Sequence, residues 1–343
     1  MAKSGAAEVS VRAAGSAAPA PAIGADFFER AERVEALGYR SVEAEFLTAV
    51  ALLGGFFVRR QFQTFSGTSK GGAEIRMVRR AAAHGHVKAS GGKPLLYRLR
   101  GASLFQAVGC EDPGSGIGRA RRAVKQRLLV LDYWIACIGE GRLLLSAADK
   151  AAYLASLGIG EDCFPAAART RRNARTFFPD RFPIRVADQR DPWVRFTYAH
   201  AGSSEHGMHR HLESHERLAM ALAERGIACE WVVLADSQSQ FARLRHAWGR
   251  WLSHAERDWS EGEYFELRRL VDKRRWKDLS RESVERYAFL GAQHGGAAAE
   301  RRYRDWACNG APARKPGGDF AESCRFREVL MEFDYSAADA ACR

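Results

Sequence analysis

The chain has 343 residues, of which 46% are hydrophobic and 27% are charged, a composition that excludes a disordered, collagen-like or disulfide-stapled protein. This length predicts two domains with additional segments. No run of ~18 apolar residues is present, so we expect no membrane partner. The formal net charge is +12, and residues 57–125 alone contribute +11, with fourteen basic side chains against three acidic ones. A basic segment in an otherwise neutral protein predicts a surface that binds a polyanion.

The N-terminal residues 1–25 are rich in Ala, Gly, Ser and Pro and predict a disordered tail without the apolar stretch of a secretory signal. The seven cysteines are odd in number and form no Cys-x-x-Cys pair, so neither a disulfide framework nor a zinc knuckle is predicted. We therefore expect a cytoplasmic protein. The sequence also lacks a P-loop and a dinucleotide-binding glycine motif, so no cofactor is expected.

Residues 26–112 form the first predicted domain. Apolar periodicity and glycine stops predict its elements in chain order: helices at 26–38, 41–53, 58–65 and 69–84, a β-hairpin at 86–99 that turns at Gly91-Gly92, and a short helix at 102–108. In the fourth helix we expect Ile75, Val78 and Ala82 to face the core.

The rest of the chain predicts three further regions: a helical connector at 113–175, a small α/β domain at 176–256 and a helical C-terminal region at 257–343. Within the α/β domain, the pattern predicts a strand at 193–200, a helix at 207–225 and a strand at 229–235. This βαβ unit implies that its two strands pair in parallel. The expected fold class is therefore α+β.

The order of elements at 41–100, together with the step Gly85-His86-Val87 from helix into hairpin, resembles the winged helix-turn-helix superfamily. The resemblance implies that the third helix of this segment enters the major groove of DNA and that the hairpin, or wing, touches the backbone or the minor groove. More distantly, a winged helix followed by an α/β region is similar to the replication-relaxation proteins of plasmids and other mobile elements.

Basic and polar residues occur where such a domain would contact DNA. The helix before the recognition helix begins with basic side chains, and in such a domain this helix crosses the DNA backbone. The first turn of the recognition helix is suited to binding a phosphate. The outward face of that helix would reach base edges, and the wing would neutralise phosphates. The predicted DNA-binding residues are Arg59, Arg60, Gln61, Ser69, Lys70, Arg76, Arg79, Arg80, Lys88 and Lys93.

Five histidines lie between residues 200 and 215, and His211 and His215 are one helical turn apart with His209 close by. This spacing is conceivable for a metal site, but it lacks the Glu of a zinc protease motif. We favour the interpretation of partly buried, hydrogen-bonded side chains and expect no metal.

An α/β domain behind a DNA-binding module also raises the hypothesis of a nuclease. Such a site needs an acid-x-Lys pair on a strand, and residues 151–272 contain no Lys. A degenerate nuclease-like domain used for association fits this pattern better.

We predict a sequence-specific double-stranded DNA-binding protein that regulates transcription or maintains a plasmid or mobile element. A homodimer is expected because one winged helix contacts too little DNA to specify a long site. Whether the chain is an enzyme stays open, with a non-enzyme favoured. The alternatives are a DNA-processing nuclease or metal-dependent hydrolase that uses His209, His211, His215 or Asp236, and a winged helix that docks proteins.

Overall fold

The structure is a computed structural model. It describes residues 25–68, 72–90, 94–112, 121–166, 176–187, 192–202, 204–295, 300, 302–304, 306–307, 320–335 and 338. The predicted DNA-binding residues Ser69, Lys70 and Lys93 lie outside this part of the chain, as do residues 1–24 of the predicted tail.

The N-terminal unit consists of helices around a three-stranded antiparallel sheet. Its elements are α1 (Ala25–Glu35), α2 (Ser41–Leu52), β1 (Phe56–Val58), α3 (Arg59–Ser66), α4 (Ala73–Ala83), β2 (Val87–Ser90), β3 (Leu96–Leu99) and α5 (Ala102–Val108). The strand order is β1-β3-β2, so β3 is the central strand. Its residue Tyr97 pairs with Phe57 of β1 on one side and with Ala89 of β2 on the other. The sequence did not predict β1, because three residues between two glycines and a helix are too few for a periodic signal.

Aromatic packing holds this unit together. The Phe46 ring on α2 lies 5.4 Å from that of Phe57, 5.1 Å from that of Phe62 and 5.6 Å from that of Phe65, so one side chain joins α2, β1 and α3. Phe57 in turn stacks on Tyr97 of β3. Burial of such large rings is the main source of stability in a small domain.

Helix α6 (Arg121–Ala136) lies between the two halves of the protein. On one side it contacts β1 and α3. On the other side it contacts two strands of the second sheet, β6 (Trp193–Ala199) and β7 (Ala228–Ala235). Leu128 of α6, Val58 of the N-terminal unit and Leu234 of the second sheet belong to one continuous hydrophobic core. The predicted connector is therefore a central structural element.

The second sheet is mixed and has the order β4-β5-β6-β7-β8. The remaining elements are β4 (Arg142–Leu144), α7 (Ala147–Ser156), β5 (Ile184–Ala187), β6 (Trp193–Ala199), α8 (His206–Ala223), β7 (Ala228–Ala235), α9 (Gln238–Asp272), α10 (Arg281–His294), α11 (Phe320–Ser323) and β8 (Cys324–Leu330). Strands β4, β5 and β6 are antiparallel, whereas β6, β7 and β8 run in parallel. The described part of the chain is thus a mixed α+β protein with two small sheets.

The predicted parallel pairing within the βαβ unit is confirmed, since Phe196 of β6 pairs in parallel with Trp231 of β7. The C-terminal region, predicted to be helical, also contains the strand β8, which completes the second sheet beside β7. In β8, the charged residues Arg325 and Arg327 alternate with Cys324 and Phe326, the pattern of a half-buried edge strand. No helix in the described segments is long and apolar enough to cross a bilayer.

Candidate functional site

Helix α4 presents a different face to the core from the one that the sequence predicted. The helix begins at Ala73, after Gly72 in a left-handed conformation; the predicted start at residue 69 lies outside the described residues. Met77 and Ala81 are fully buried, whereas Ala82, predicted to face inward, is exposed. The buried stripe is therefore shifted by one residue, with Met77 in the core and Val78 only partly buried against it.

This shift separates the three arginines of α4. Arg76 and Arg79 are exposed and lie three residues apart, on one face of the helix. Arg80 turns toward α2: its Nε lies 3.4 Å from Oε2 of the buried Glu43, and its Nη1 donates to the carbonyl oxygen of Gly38 at 3.1 Å. Arg80 therefore anchors α4 to the unit, and Arg76 and Arg79 form the basic face.

The hairpin adds further positive charge. Lys88 on β2 is exposed and lies directly opposite Arg98 on β3, so the two side chains share one face of the sheet. Arg98 has a weak acidic neighbour, with its Nη2 3.9 Å from Oδ1 of Asp112. A two-residue turn at Gly91-Gly92 would place Lys88 opposite Leu95, so the predicted hairpin does not indicate Arg98. In the structure Ser90 pairs with Leu96, and this longer connection brings Arg98 opposite Lys88.

Helix α3 directs only one of its three predicted DNA-binding residues to solvent. Arg59 is exposed. Arg60 donates two hydrogen bonds to the Asp132 carboxylate on α6, at 2.6 and 2.8 Å. Gln61 is 0% exposed; its Nε2 donates to the Leu128 carbonyl oxygen at 2.9 Å, and its Oε1 accepts from the Val58 amide. Arg60 and Gln61 therefore dock α3 on α6.

The histidine cluster contains a residue that the sequence analysis missed. Asp180, His211 and His215 each place one potential ligand atom within 4.8 Å of the others. The third predicted histidine, His209, instead places its Nε2 3.2 Å from Oε1 of Glu213, and its side chain is half-exposed. Asp180 is 31 residues from His211 in the chain, so no local spacing could have identified it.

Hydrogen bonds order this cluster. Nδ1 of His211 is 3.0 Å from Oδ2 of Asp180, whose Oδ1 accepts from the Phe182 amide at 3.1 Å. Nδ1 of His215 lies 2.9 Å from the carbonyl oxygen of His211. The buried Lys150 donates from Nζ to the Phe182 carbonyl oxygen at 2.6 Å.

Burial strongly shifts the titration of these groups. Desolvation lowers the pKa of His215 to about 3 and that of Lys150 to about 8, because burial penalises the charged forms. Burial opposes ionisation of Asp180 as well, but the hydrogen bond and charge of His211 outweigh it and hold the pKa of that carboxyl well below its usual range. Asp180 is therefore a carboxylate at neutral pH.

The carboxylates near the parallel strands form ion pairs with basic side chains. Asp236, which follows β7, forms an ion pair with Lys125 of α6. Glu230 on β7 forms an ion pair with Arg195 on β6. Neither β5 nor β6 contains an acidic residue, so these two strands offer no metal-binding pair of the nuclease type.

Comparisons of the chain with protein-family models, with curated proteins and with solved structures found no match. Function is therefore inferred from the two features described above, the basic face of α4 with the hairpin and the buried Asp180–His211–His215 cluster.

Proposed function

We propose that the chain binds double-stranded DNA through residues 41–99 arranged as a winged helix. The observation that supports this most directly is the element order α2-β1-α3-α4-β2-β3, with the strand order β1-β3-β2. In the winged helix-turn-helix arrangement, the third helix is the recognition helix and the last two strands form the wing. In this proposal, helix α4 would be the recognition helix and the β2–β3 hairpin the wing.

The charge distribution supports the same proposal. Arg76 and Arg79 lie on the exposed face of α4, and an arginine that reaches the major groove can pair with guanine through two hydrogen bonds. Lys88 on the wing and Arg59 on α3 are exposed on neighbouring elements, where they would neutralise phosphates. Arg60, Gln61 and Arg80 act differently in this proposal, as internal contacts that hold α3 and α4 in place.

The biological role that we propose is regulation of transcription or maintenance of a plasmid or mobile element. The distant similarity to replication-relaxation proteins stays a hypothesis, as does the homodimer. A nuclease is the less favoured alternative because β5 and β6 contribute no carboxylate.

The test is a salt titration of DNA binding, after selection from random duplexes has identified a preferred site. We expect Arg76→Ala or Arg79→Ala to reduce the preference for that site over scrambled DNA by about 1–3 kcal/mol each. Lys88→Ala should weaken both duplexes equally and reduce the slope of log K against log salt by about 0.9. The matched control is Arg281→Ala, which removes an arginine that is 94% exposed on α10 and should leave binding unchanged.

Arg80→Ala separates recognition from folding. Since Arg80 binds Glu43, its removal should lower the free energy of unfolding more than it changes sequence preference. Full retention of sequence preference by both Arg76→Ala and Arg79→Ala would contradict the assignment of α4 as the recognition helix. DNA binding by Arg76→Ala, Arg79→Ala and Lys88→Ala that equals binding by the natural chain would contradict the proposed function as a whole.

A further inference from the structure

We propose that Asp180, His211 and His215 form a binding site for a divalent transition-metal ion of the zinc type. The donors are one carboxylate oxygen and one nitrogen from each imidazole, a set that Zn²⁺, Co²⁺ and Ni²⁺ accept. The site belongs to the second sheet and its helices, and it is independent of the proposed DNA contact.

The positions of the three donors favour a shared ion. His211 and His215 are one turn apart on α8, so both rings leave the same face of the helix, and their centroids are 4.2 Å apart. Asp180 approaches from the segment before β5, with Oδ2 3.0 Å from Nδ1 of His211. One donor atom from each residue lies within 4.8 Å of the others, and a small inward movement would bring them to the spacing that zinc–nitrogen and zinc–oxygen bonds of about 2.0–2.2 Å require.

The second contacts of these residues resemble those of metal ligands. Nδ1 of His215 is held by the carbonyl oxygen of His211, which fixes the ring and leaves its Nε2 lone pair available in the neutral form. Oδ1 of Asp180 accepts from the Phe182 amide, so the carboxylate is also fixed in orientation. Such contacts orient ligands before an ion binds and lower the cost of ordering them.

One imidazole nitrogen of this cluster lacks a hydrogen-bond partner among the described residues. The His211 side chain is only 5% exposed, yet its Nε2 has no hydrogen-bond partner. If Nδ1 of His211, now 3.0 Å from Oδ2 of Asp180, binds the ion, Nε2 carries the proton of the neutral ring. The Asp180 side chain is 23% exposed, so the cluster reaches the protein surface at this carboxylate.

Lys150 is the positive charge that opposes an ion at this site. Its Nζ donates to the Phe182 carbonyl oxygen at 2.6 Å and lies 5.2 Å from the centre of the Phe178 ring, so the ammonium is held at the rim of the cluster. A dication bound to Asp180 would be repelled by this ammonium. We therefore expect the Lys150→Met variant to bind the metal more tightly than the natural chain does.

The experiment titrates Co²⁺ into the full chain after treatment with a chelator and follows the visible absorption of the bound ion. We expect one ion per chain and a rise in melting temperature with Zn²⁺. His215→Gln and Asp180→Asn should each weaken binding by more than about tenfold. The matched control is His209→Gln, on the same helix but paired with Glu213, which should bind as the natural chain does.

Failure of the natural chain to bind Co²⁺ or Zn²⁺ at micromolar concentration would overturn the proposal. Loss of binding in His209→Gln with full binding in His215→Gln would overturn it as well. Chemical unfolding of each variant without metal shows whether it folds. Should Asp180→Asn or His215→Gln fail to fold, Lys150→Met decides the question, because weaker or unchanged metal affinity in that variant contradicts a site beside Lys150.

Discussion

At the scale of single residues, the partner of a charged side chain determines what it can do. Arg60 and Arg59 are neighbours in sequence, yet Arg60 forms a bidentate pair with Asp132 and lies 4.2 Å above the Phe333 ring, whereas Arg59 is exposed. A guanidinium already bound to a buried carboxylate is expensive to redirect to a phosphate. Arg60 thus stabilises the contact between α3 and α6.

His86 is a residue whose environment predicts a pH dependence of stability. It is buried at the start of the wing, with Nδ1 2.8 Å from the Tyr39 hydroxyl and Nε2 2.9 Å from the Ser103 hydroxyl. Desolvation, reinforced by the charge of His84, lowers the pKa of His86 from its ordinary value of 6.5. Below that pH the unfolded chain takes up a proton that the folded chain resists, so His86 contributes stability above pH 6.5 that is lost as the pH falls.

We therefore predict that His86→Gln is less stable than the natural chain at about pH 8 and loses less stability on acidification to about pH 5. Urea unfolding at the two pH values measures this difference. A variant that is destabilised by the same amount at both values would show that the proton does not couple to folding through His86.

At the scale of elements, local capping explains why short helices form at defined positions. Helix α7 begins with a reciprocal cap, in which the Asp149 amide donates to Ser146 Oγ at 3.0 Å and the Ser146 amide donates to Asp149 Oδ2 at 3.1 Å. These contacts satisfy two backbone amides that a helix start leaves unpaired. Helix α7 in turn positions Lys150 at the histidine cluster.

We predict that Ser146→Ala lowers the free energy of unfolding by about 1 kcal/mol, while Ser146→Gly lowers it by only a few tenths. The difference arises because glycine leaves the helix start accessible to water, whereas alanine neither caps it nor exposes it. Equilibrium denaturation of both variants provides the measurement. Equal losses for alanine and glycine would show that access of water to the helix start does not compensate for the missing hydroxyl, and no loss in either variant would show that the Ser146 hydrogen bond does not stabilise the helix.

At the scale of the whole molecule, the two sheets share one core through α6. Leu128 is fully buried, and its carbonyl oxygen accepts the hydrogen bond from Gln61 of α3, while Gln126 of the same helix donates to the Ala199 carbonyl oxygen at the end of β6. Contacts to both sheets from one helix favour joint rather than separate unfolding.

We predict that Leu128→Ala destabilises both halves together, by about 2–5 kcal/mol, because it leaves a cavity in the shared core. Hydrogen exchange should show the same increase in opening for amides of β2–β3 and of β6–β7. An increase confined to one sheet would contradict the view that α6 couples them.

Local patterns in the sequence were sufficient to predict several of the helices and strands. Apolar periodicity and paired glycines predicted the helices and the hairpin of residues 41–99, and two apolar runs around a helix predicted the parallel pair β6–β7. Such patterns arise within about 20 residues, because side-chain periods of 3.6 and 2.0 follow from backbone geometry alone.

The surface that each element buries, and the contacts between distant residues, depend on packing in three dimensions. Met77 rather than Val78 became the core residue of α4, and Arg80 turned from the predicted DNA face to Glu43. Asp180 joined His211 across 31 positions, and Arg60 met Asp132 across 72. Burial, ion pairing and ligand geometry depend on distances in space rather than on spacing along the chain. Rotation of a helix by one residue changes these distances, as does the addition of a strand from the end of the chain. Neither change leaves a signal in the local sequence.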